Sequence, residues 1–318
     1  MAYQDLWNEL IAYVPSLSPF LAQRFVNRAW REIRQMKSWS FLLEEGFLIV
    51  PTKITAGTVS ATKFSKTITP NATAIAALNA AGTHPLLGER QFRIAPGTRV
   101  YNIDTWDGSV LTLKEEFQED TVANSTYEVF RCYFKPPSSD FIRFVSIRDL
   151  ITNYHIRLNY TQEELNRLDP QRNTDGDPLY CASYKTDSSG VPIFELWPIP
   201  SSARSYQVLY QKRGVDFSAG SDILPAGIPD HLVLDKALYQ AYRWMEANKG
   251  LVGDKGSMGS DWRYLAAEAN RNFMEQLSKT MREDEDIFMQ MMHFHESRSG
   301  FMTPIDANYA QNHVVDWW

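Results

Sequence analysis

The chain has 318 residues, 44% of them hydrophobic and 13% aromatic, with 32 basic against 38 acidic side chains for a net charge of −6. That is enough apolar material for one large or two ordinary packed domains, and the acidic balance does not indicate a broad phosphate-binding face. The apolar runs are short, FLIV at 47–50 being typical, far below the ~20 residues that span a bilayer, so no membrane segment is expected.

The opening MAYQDLWNEL has no basic region followed by an apolar core, so no secretory signal is expected and the protein should act where it is made. Residues 3–14 place Leu6, Trp7, Leu10, Ile11 and Val14 at helical spacing, and Pro15 stops the run. Ser18 before Pro19 is an N-cap with a first-turn proline. From it a second helix should run to about Lys37, with Leu21, Phe25, Ala29, Ile33 and Met36 on one stripe and Arg24, Arg28, Arg31 and Arg34 off it.

From Phe47 the period shifts towards 2, in short segments punctuated by Gly, Pro, Asn and Asp: GTVSATKF, KTITP, RQFRIA, RVYNID, SVLTLKEEF and STYEVFRCYF. Five or six such strands in succession suggest a small barrel or sandwich, and Asp107-Gly108 marks a hairpin turn within it. KPPSSDF at 135–141 punctuates the chain. FIRFVSIRDLI and the turn-rich LDPQRNTDGDP follow, and then the strands LYCASY, IFELWPIP and SYQVLYQKRG, the two prolines of ELWPIP placing it at a strand end or sheet edge.

A long helix should occupy about Asp230 to Asn248, with Leu234, Ala237, Leu238, Ala241, Trp244 and Met245 on its apolar face and Gly250 as its stop. After the glycine-rich GLVGDKGSMGS, another helix carries Trp262, Leu265, Ala269, Phe273, Leu277 and Met281 on one stripe, forming an antiparallel hairpin with the first. Beyond Met281 the periodicity decays into an aromatic and methionine-bearing tail. Helices at both ends that bracket strands imply an α+β fold with a discontinuous four-helix bundle, residues 1–45 with 225–285. The central antiparallel β region comprises an inserted small β-barrel or sandwich, 46–134, and a second β region, 135–224. Residues 286–318 form an extended C-terminal arm.

Catalytic constellations are absent from the pattern. His293, His295 and Glu296 are the best metal candidates, but histidines two apart diverge on a helix and no third ligand lies near. GLVGDKGS does not meet the phosphate-loop pattern and follows a helix instead of a strand. NTDGDP (173–178) lacks the glutamate of a calcium loop, and REDED reads as a solvated face. His84, His155, His231 and His313 have no triad spacing, and no paired carboxylates suggest a hydrolase. Cys132 and Cys181 have neither CxxC spacing nor a companion cluster, which fits free, buried thiols in a reducing compartment. The expectation is a non-enzymatic assembly component without metal or cofactor.

The order of segments resembles the head-to-tail adaptor proteins of tailed bacteriophages, also called connector or tail tubular A-like proteins. LAQRFVNRAWREIRQMKSWSFL, with Trp39, Phe41 and Leu42, is similar to their N-terminal helix. AGTVSATKFSKTITPNATAI, RVYNIDTWDGSVLTLKEEF and STYEVFRCYF resemble their inserted β module. KPPSSDF, NTDGDPLYCASY, IFELWPIP, SYQVLYQKRGVDF and ILPAGIPDHLVLDKALYQAY follow in the family's order. The likeness covers about residues 18–245. It departs at 65–73, where SKTITPNAT replaces the usual glycines, and the tail after Glu283 has no counterpart.

The resemblance implies a virion protein of the neck, a ring commonly of twelve copies between the portal protein and the tail tube or nozzle, with genomic DNA passing through the lumen and no membrane contact. Acidity suits such a lumen, since neutralising contacts would arrest DNA. It also implies that the C-terminal arm, through Phe288, Met292, Phe294, Phe301, Met302, Tyr309, Trp317 and Trp318, anchors the portal or a neighbouring subunit. The alternative is a host-surface or carbohydrate-binding virion protein, suggested by nine tryptophans and the β module. Against it, Trp7, Trp30, Trp39, Trp244 and Trp262 read as helix core.

Overall fold

The computed structural model describes residues 1–80, 90–94, 99–248 and 261–297, with side chains to residue 289 in the last helix. In chain order α1 (Tyr3–Tyr13) and α2 (Pro19–Met36) lead through a 3-10 turn (Ser40–Leu42) to β1 (Leu43–Val50). Next come β2 (Val59–Ala61), β3 (Thr67–Pro70), α3 (Ala72–Ala80), β4 (Gln91–Ile94), β5 (Tyr101–Trp106), β6 (Leu111–Leu113), β7 (Val122–Ser125) and β8 (Tyr127–Phe130). Then follow β9 (Tyr133–Phe134), β10 (Phe141–Asp149), β11 (His155–Tyr160), α4 (Gln162–Leu168), β12 (Asp175–Gly176), β13 (Tyr180–Thr186), β14 (Pro192–Trp197), β15 (Ile199–Pro200) and β16 (Arg204–Lys212). Two helices, α5 (Asp230–Ala247) and α6 (Trp262–Ser297), complete a fold of the expected α+β class. The chain divides into two compact units, residues 1–44 with 212–318 and residues 45–211.

The helical unit is built on side-chain periodicity. Ser18 Oγ accepts from the Leu21 amide at 3.3 Å, and Pro19 occupies the first turn, where no amide proton is needed. Ala22, Phe25, Val26, Ala29, Trp30 and Ile33 then fall on one buried face of α2. Of the expected stripe, Met36 is exposed. α5 packs against α1, α2 and α6, and Leu6, Leu10, Ile33, Trp39, Leu232, Ala241 and Phe273 share one core. A fully buried side chain such as Phe273 contributes about 1.5–3 kcal/mol of transfer free energy. Trp39 is not helical. It sits between α2 and the 3-10 turn, buried, with its indole donating to the Ile33 carbonyl at 2.8 Å.

Two expectations about α6 are corrected. Its backbone stays helical to Ser297, past the point where an arm was expected to start at 286, because no glycine or proline interrupts residues 261–299. The REDED run is not wholly solvated. Asp284 is buried and accepts from the Ser40 amide at 3.0 Å, with Lys37 Nζ at 3.3 Å, so one acid of the run ties α6 to the start of the 3-10 turn.

Residues 45–211 hold two seven-stranded sheets. The first runs β7-β2-β3-β6-β5-β4-β8, and its edge strands β7 and β8 are joined by Thr126 alone, which curls the sheet towards a barrel. Alternation puts Val59, Ala61, Ile68, Ile103, Leu111, Leu113 and Val129 inside. The Asp107-Gly108 hairpin forms as read: Gly108 has φ +97° and Asp107 Oδ1 accepts the Ser109 and Val110 amides at 2.8 and 2.6 Å. α3 interrupts a stretch read as strands, and its alanine-rich run is capped by Asn71 Oδ1 accepting from the Ala74 amide at 2.8 Å. Gly57 lies against that cap with φ +89°, and a Cβ there would stand 2.4 Å from the Ala74 nitrogen.

The second sheet runs β1-β16-β10-β11-β13-β14-β9 over a core that includes Leu48, Val50, Ile147, Ile156, Cys181, Leu196, Tyr206 and Val208. β10 with β11, β13 with β14 and β14 with β9 pair antiparallel, whereas β11 and β13 run parallel, Arg157 opposite Tyr180. The connection between these two strands contains α4, also unforeseen, whose capping box joins Thr161 and Glu164 reciprocally at 2.7 and 3.3 Å. NTDGDP contains the short strand β12, which pairs parallel with β15, and its acids are pinned: Asp175 to Lys53 at 2.5 Å and Asp177 to Arg204 at 2.7 Å. Cys132 and Cys181 are free and buried.

Candidate interaction surface

A groove of about 890 Å³ lies on the helical unit between the start of α1, the first half of α2 and the segment 216–220. Tyr3, Trp7, Phe25, Phe217 and Trp244 give it an aromatic lining, and from Tyr3 and Phe217 a run of rings continues into the core behind it. Tyr3 stacks on Phe217 at 5.1 Å, Phe217 on Trp30 at 5.5 Å, Trp30 on Phe41 at 5.7 Å and Phe41 on Trp39 at 5.9 Å, a continuous run of rings through the unit. Phe25 and Trp244 approach each other at 6.4 Å beside it.

The segment that closes the groove is held by polar bonds. Asn27 Nδ2 donates to the Phe217 carbonyl at 3.1 Å while its Oδ1 accepts the Phe217 amide at 2.9 Å, and Trp30 Nε1 donates to the Val215 carbonyl at 3.1 Å. The Tyr3 and Gln4 amides, which open α1 and have no partner within the helix, donate to the Asp222 and Gly220 carbonyls at 2.7 and 3.0 Å. Asp222 gathers the Ala219 and Ser218 amides at 2.9 and 2.7 Å, and these bonds hold its carboxyl below the usual carboxylate range.

One wall is basic. Arg24, Arg28 and Arg31 line the groove along α2, with Asp216 the one acid among its lining residues. Asp216 pairs with both Arg31 and Arg34, and the Arg31 hydrogen bond foremost keeps its carboxyl below its ordinary value. Arg28 pairs with Glu32 at 3.0 Å. Arg24 is exposed, with its guanidinium 5.7 Å over the ring of Phe20, itself 66% exposed at the rim. Aromatic faces beside arginine planes suit indole and carboxylate groups, which guanidinium accepts by stacking and by paired hydrogen bonds. Sequence reasoning missed this surface, although arginines at 24, 28, 31 and 34 already drew a second face on α2.

Of the expected contact residues, Phe288 is half-buried on α6, between the exposed Ile287 and Met289. Met292 and Phe294 fall on the helical backbone of α6, but their side chains lie outside the described residues, as do Phe301, Met302, Tyr309, Trp317 and Trp318. The side chains of His293, His295 and Glu296 and the loop 250–260 lie outside them as well. Among the described residues no group of three or more His, Cys, Asp and Glu could hold a metal ion, and no helix is long and apolar enough to cross a membrane. None of the described tryptophans is exposed. Trp106 Nε1 donates to Asn79 at 3.0 Å and Trp197 Nε1 to Asp169 at 3.2 Å.

The model of the SU10 adaptor protein family matches residues 1–292, and the chain belongs to that family. It is therefore a structural adaptor protein of bacteriophage and a component of the virion. No curated protein matches the chain. The family match reaches beyond the 18–245 read from segment order, taking in α1 and most of α6, so residues 284–292 do have a counterpart.

Proposed function

We propose that this chain is a head-to-tail adaptor that assembles with copies of itself, commonly twelve, into a ring between the portal protein and the tail tube or nozzle, with genomic DNA passing through the lumen. The observation that carries the reading is the family match over residues 1–292. The net charge of −6 supports it, since a lumen that neutralised phosphates would hold DNA instead of passing it. In this reading the arm residues Phe288, Met292, Phe294, Phe301, Met302, Tyr309, Trp317 and Trp318 contact another protein of the same particle, as large apolar anchors that dominate interface energetics.

The test is electron microscopy of the purified chain with and without portal. Crowns bound to portal are expected, and a chain that stays monomeric beside portal refutes the proposal. Deleting residues 298–318 should leave the unfolding midpoint unchanged and abolish crown formation. A deletion that lowers the midpoint would make the arm part of the core. The host-surface reading gains no support from the tryptophans, since those of the β region are half-buried and hydrogen-bonded.

A further inference from the structure

The groove on the helical unit and the segment that follows α6 are complementary. The groove joins half-buried Trp7 and Trp244 to the exposed pair Phe20 and Arg24, with Arg28 and Arg31 alongside. It is a net-basic aromatic site on a chain of net charge −6. Residues 314–318 read Val-Val-Asp-Trp-Trp, which offers one carboxylate and two indoles to three guanidinium groups and an aromatic lining. A groove of about 890 Å³ falls within the ~300–1,000 Å³ of sites that enclose a ligand of that bulk.

The course of α6 favours a neighbouring copy as the source of the segment, because the chain between Ser297 and Asp316, although long enough at ~3.3 Å per residue to span the distance, would have to reverse direction to reach its own groove. α6 starts beside the end of α5, where Trp262 stacks on Tyr242 at 5.8 Å, the same region in which Phe25 of α2 meets Trp244. It then runs along α5, which also packs against α2, and reaches the far end of α2, where Asp284 meets Lys37. Thirteen further residues carry it about 20 Å onward at 1.5 Å per residue, and the stretch of α2 from Lys37 back to Arg24 adds about 20 Å. The helix therefore delivers the residues after Ser297 about 40 Å from the groove of their own copy, pointing away from it.

We propose that the Asp316-Trp317-Trp318 segment of one copy docks in the Arg24-flanked aromatic groove of a neighbouring copy. The inference deepens the ring reading of the previous subsection and rests on it for the neighbour. Because one copy's segment meets a different region of the next copy, the contact is head-to-tail, the kind that generates a ring when the rotation between copies closes.

A fluorescein-labelled peptide of residues 306–318, titrated into the full chain and followed by anisotropy, tests this. Saturable binding is expected, weakened at least tenfold by Arg24→Glu in the protein and by Trp317→Ala with Trp318→Ala in the peptide, and unchanged by Arg271→Glu, an exposed arginine on α6. Arg24 is exposed, so a circular dichroism spectrum identical to wild type should accompany its variant. No saturable binding, or equal losses from Arg24→Glu and Arg271→Glu, overturns the proposal. Binding that, at a concentration where the chain is monomeric, is seen only when the chain's own Trp317 and Trp318 are alanine places the segment in its own groove and overturns the exchange between copies. Portal-bound crowns together with a peptide that does not bind would reject the groove and leave the adaptor reading standing. A peptide that binds a chain that never joins portal would do the reverse.

Discussion

Replacing Glu195 with glutamine should open the β unit far more often than any surface change. Glu195 is fully buried and receives Arg172 through Nε and, at 3.3 Å, Nη2, with Gln162 Nε2 at 2.6 Å. Arg172, its side chain 8% exposed, sends Nη1 to the Leu165 and Asp169 carbonyls, so neither ion reaches bulk water. The amide keeps the shape and one acceptor but leaves the guanidinium as a buried charge without its counter-ion. Losing one partner of such a pair costs about 3–5 kcal/mol, and the retained acceptor argues for the lower figure. Three kcal/mol is a rise of about 100-fold in the open population at 1.4 kcal/mol per tenfold. Cys132 and Cys181 report it directly. Both are buried, and burial pushes the Cys181 thiol up to about 12 and the Cys132 thiol well above its usual value, so labelling proceeds through opening. The labelling rate under native conditions should rise about 100-fold in Glu195→Gln. Combining Glu195→Leu with Arg172→Met should restore most of the protection, because an apolar pair has no charge to strand. A rise below tenfold, or a double variant as labile as the single one, would refute the electrostatic account.

Two further outcomes follow from local geometry. Asp216→Asn should lower the stability of the helical unit by about 1 kcal/mol at neutral pH, the upper end for a pair partly screened by solvent, since the acid is shared by Arg31 and the buried Arg34. The folded carboxyl is depressed, so its contribution is full above the unfolded value of about 3.9 and is lost as pH falls through the folded one. Urea midpoints of wild type and variant should therefore differ at pH 7 and converge as pH falls through the depressed folded value, and a gap independent of pH would rule out the carboxylate as its source. Gly57→Ala should cost about 2 kcal/mol in the β unit, because it combines φ +89° with a methyl 2.4 Å from the Ala74 nitrogen, and an unchanged midpoint would contradict that geometry.

The helices at both ends were legible because their signals are local and redundant. Ser18-Pro19 fixed the start of α2, and the apolar face of α5 gave its span from Asp230 to within a residue. α3 and α4 escaped because they are short and sit among strands, where a period-2 reading absorbs them. Yet each carried a cap in plain sequence, Asn71 ahead of an alanine run and Thr161 with Glu164 three residues on. The parallel pairing of β11 with β13 has no local signature, since the direction of a strand depends on the connection and not on its own residues. Asp284 was misread for the same reason: a run of like charges says nothing about which member faces the Ser40 amide.

The candidate surface was only half legible, and the missing half is the instructive one. Aromatic and methionine content after Glu283 is the sequence signal behind the proposed contact, but composition cannot name the partner. The receiving groove is assembled from residues about 190 apart in sequence, with Asn27 holding Phe217 and Arg31 holding Asp216, and no spacing rule brings such residues together. What the sequence did carry was the pair of faces on α2. Its apolar face is consumed by the core, so the arginine face remains for something else. An apolar–acidic segment on a chain that also presents a basic aromatic groove, with α6 directing the one away from the other, is the arrangement expected when copies join head-to-tail and not face to face.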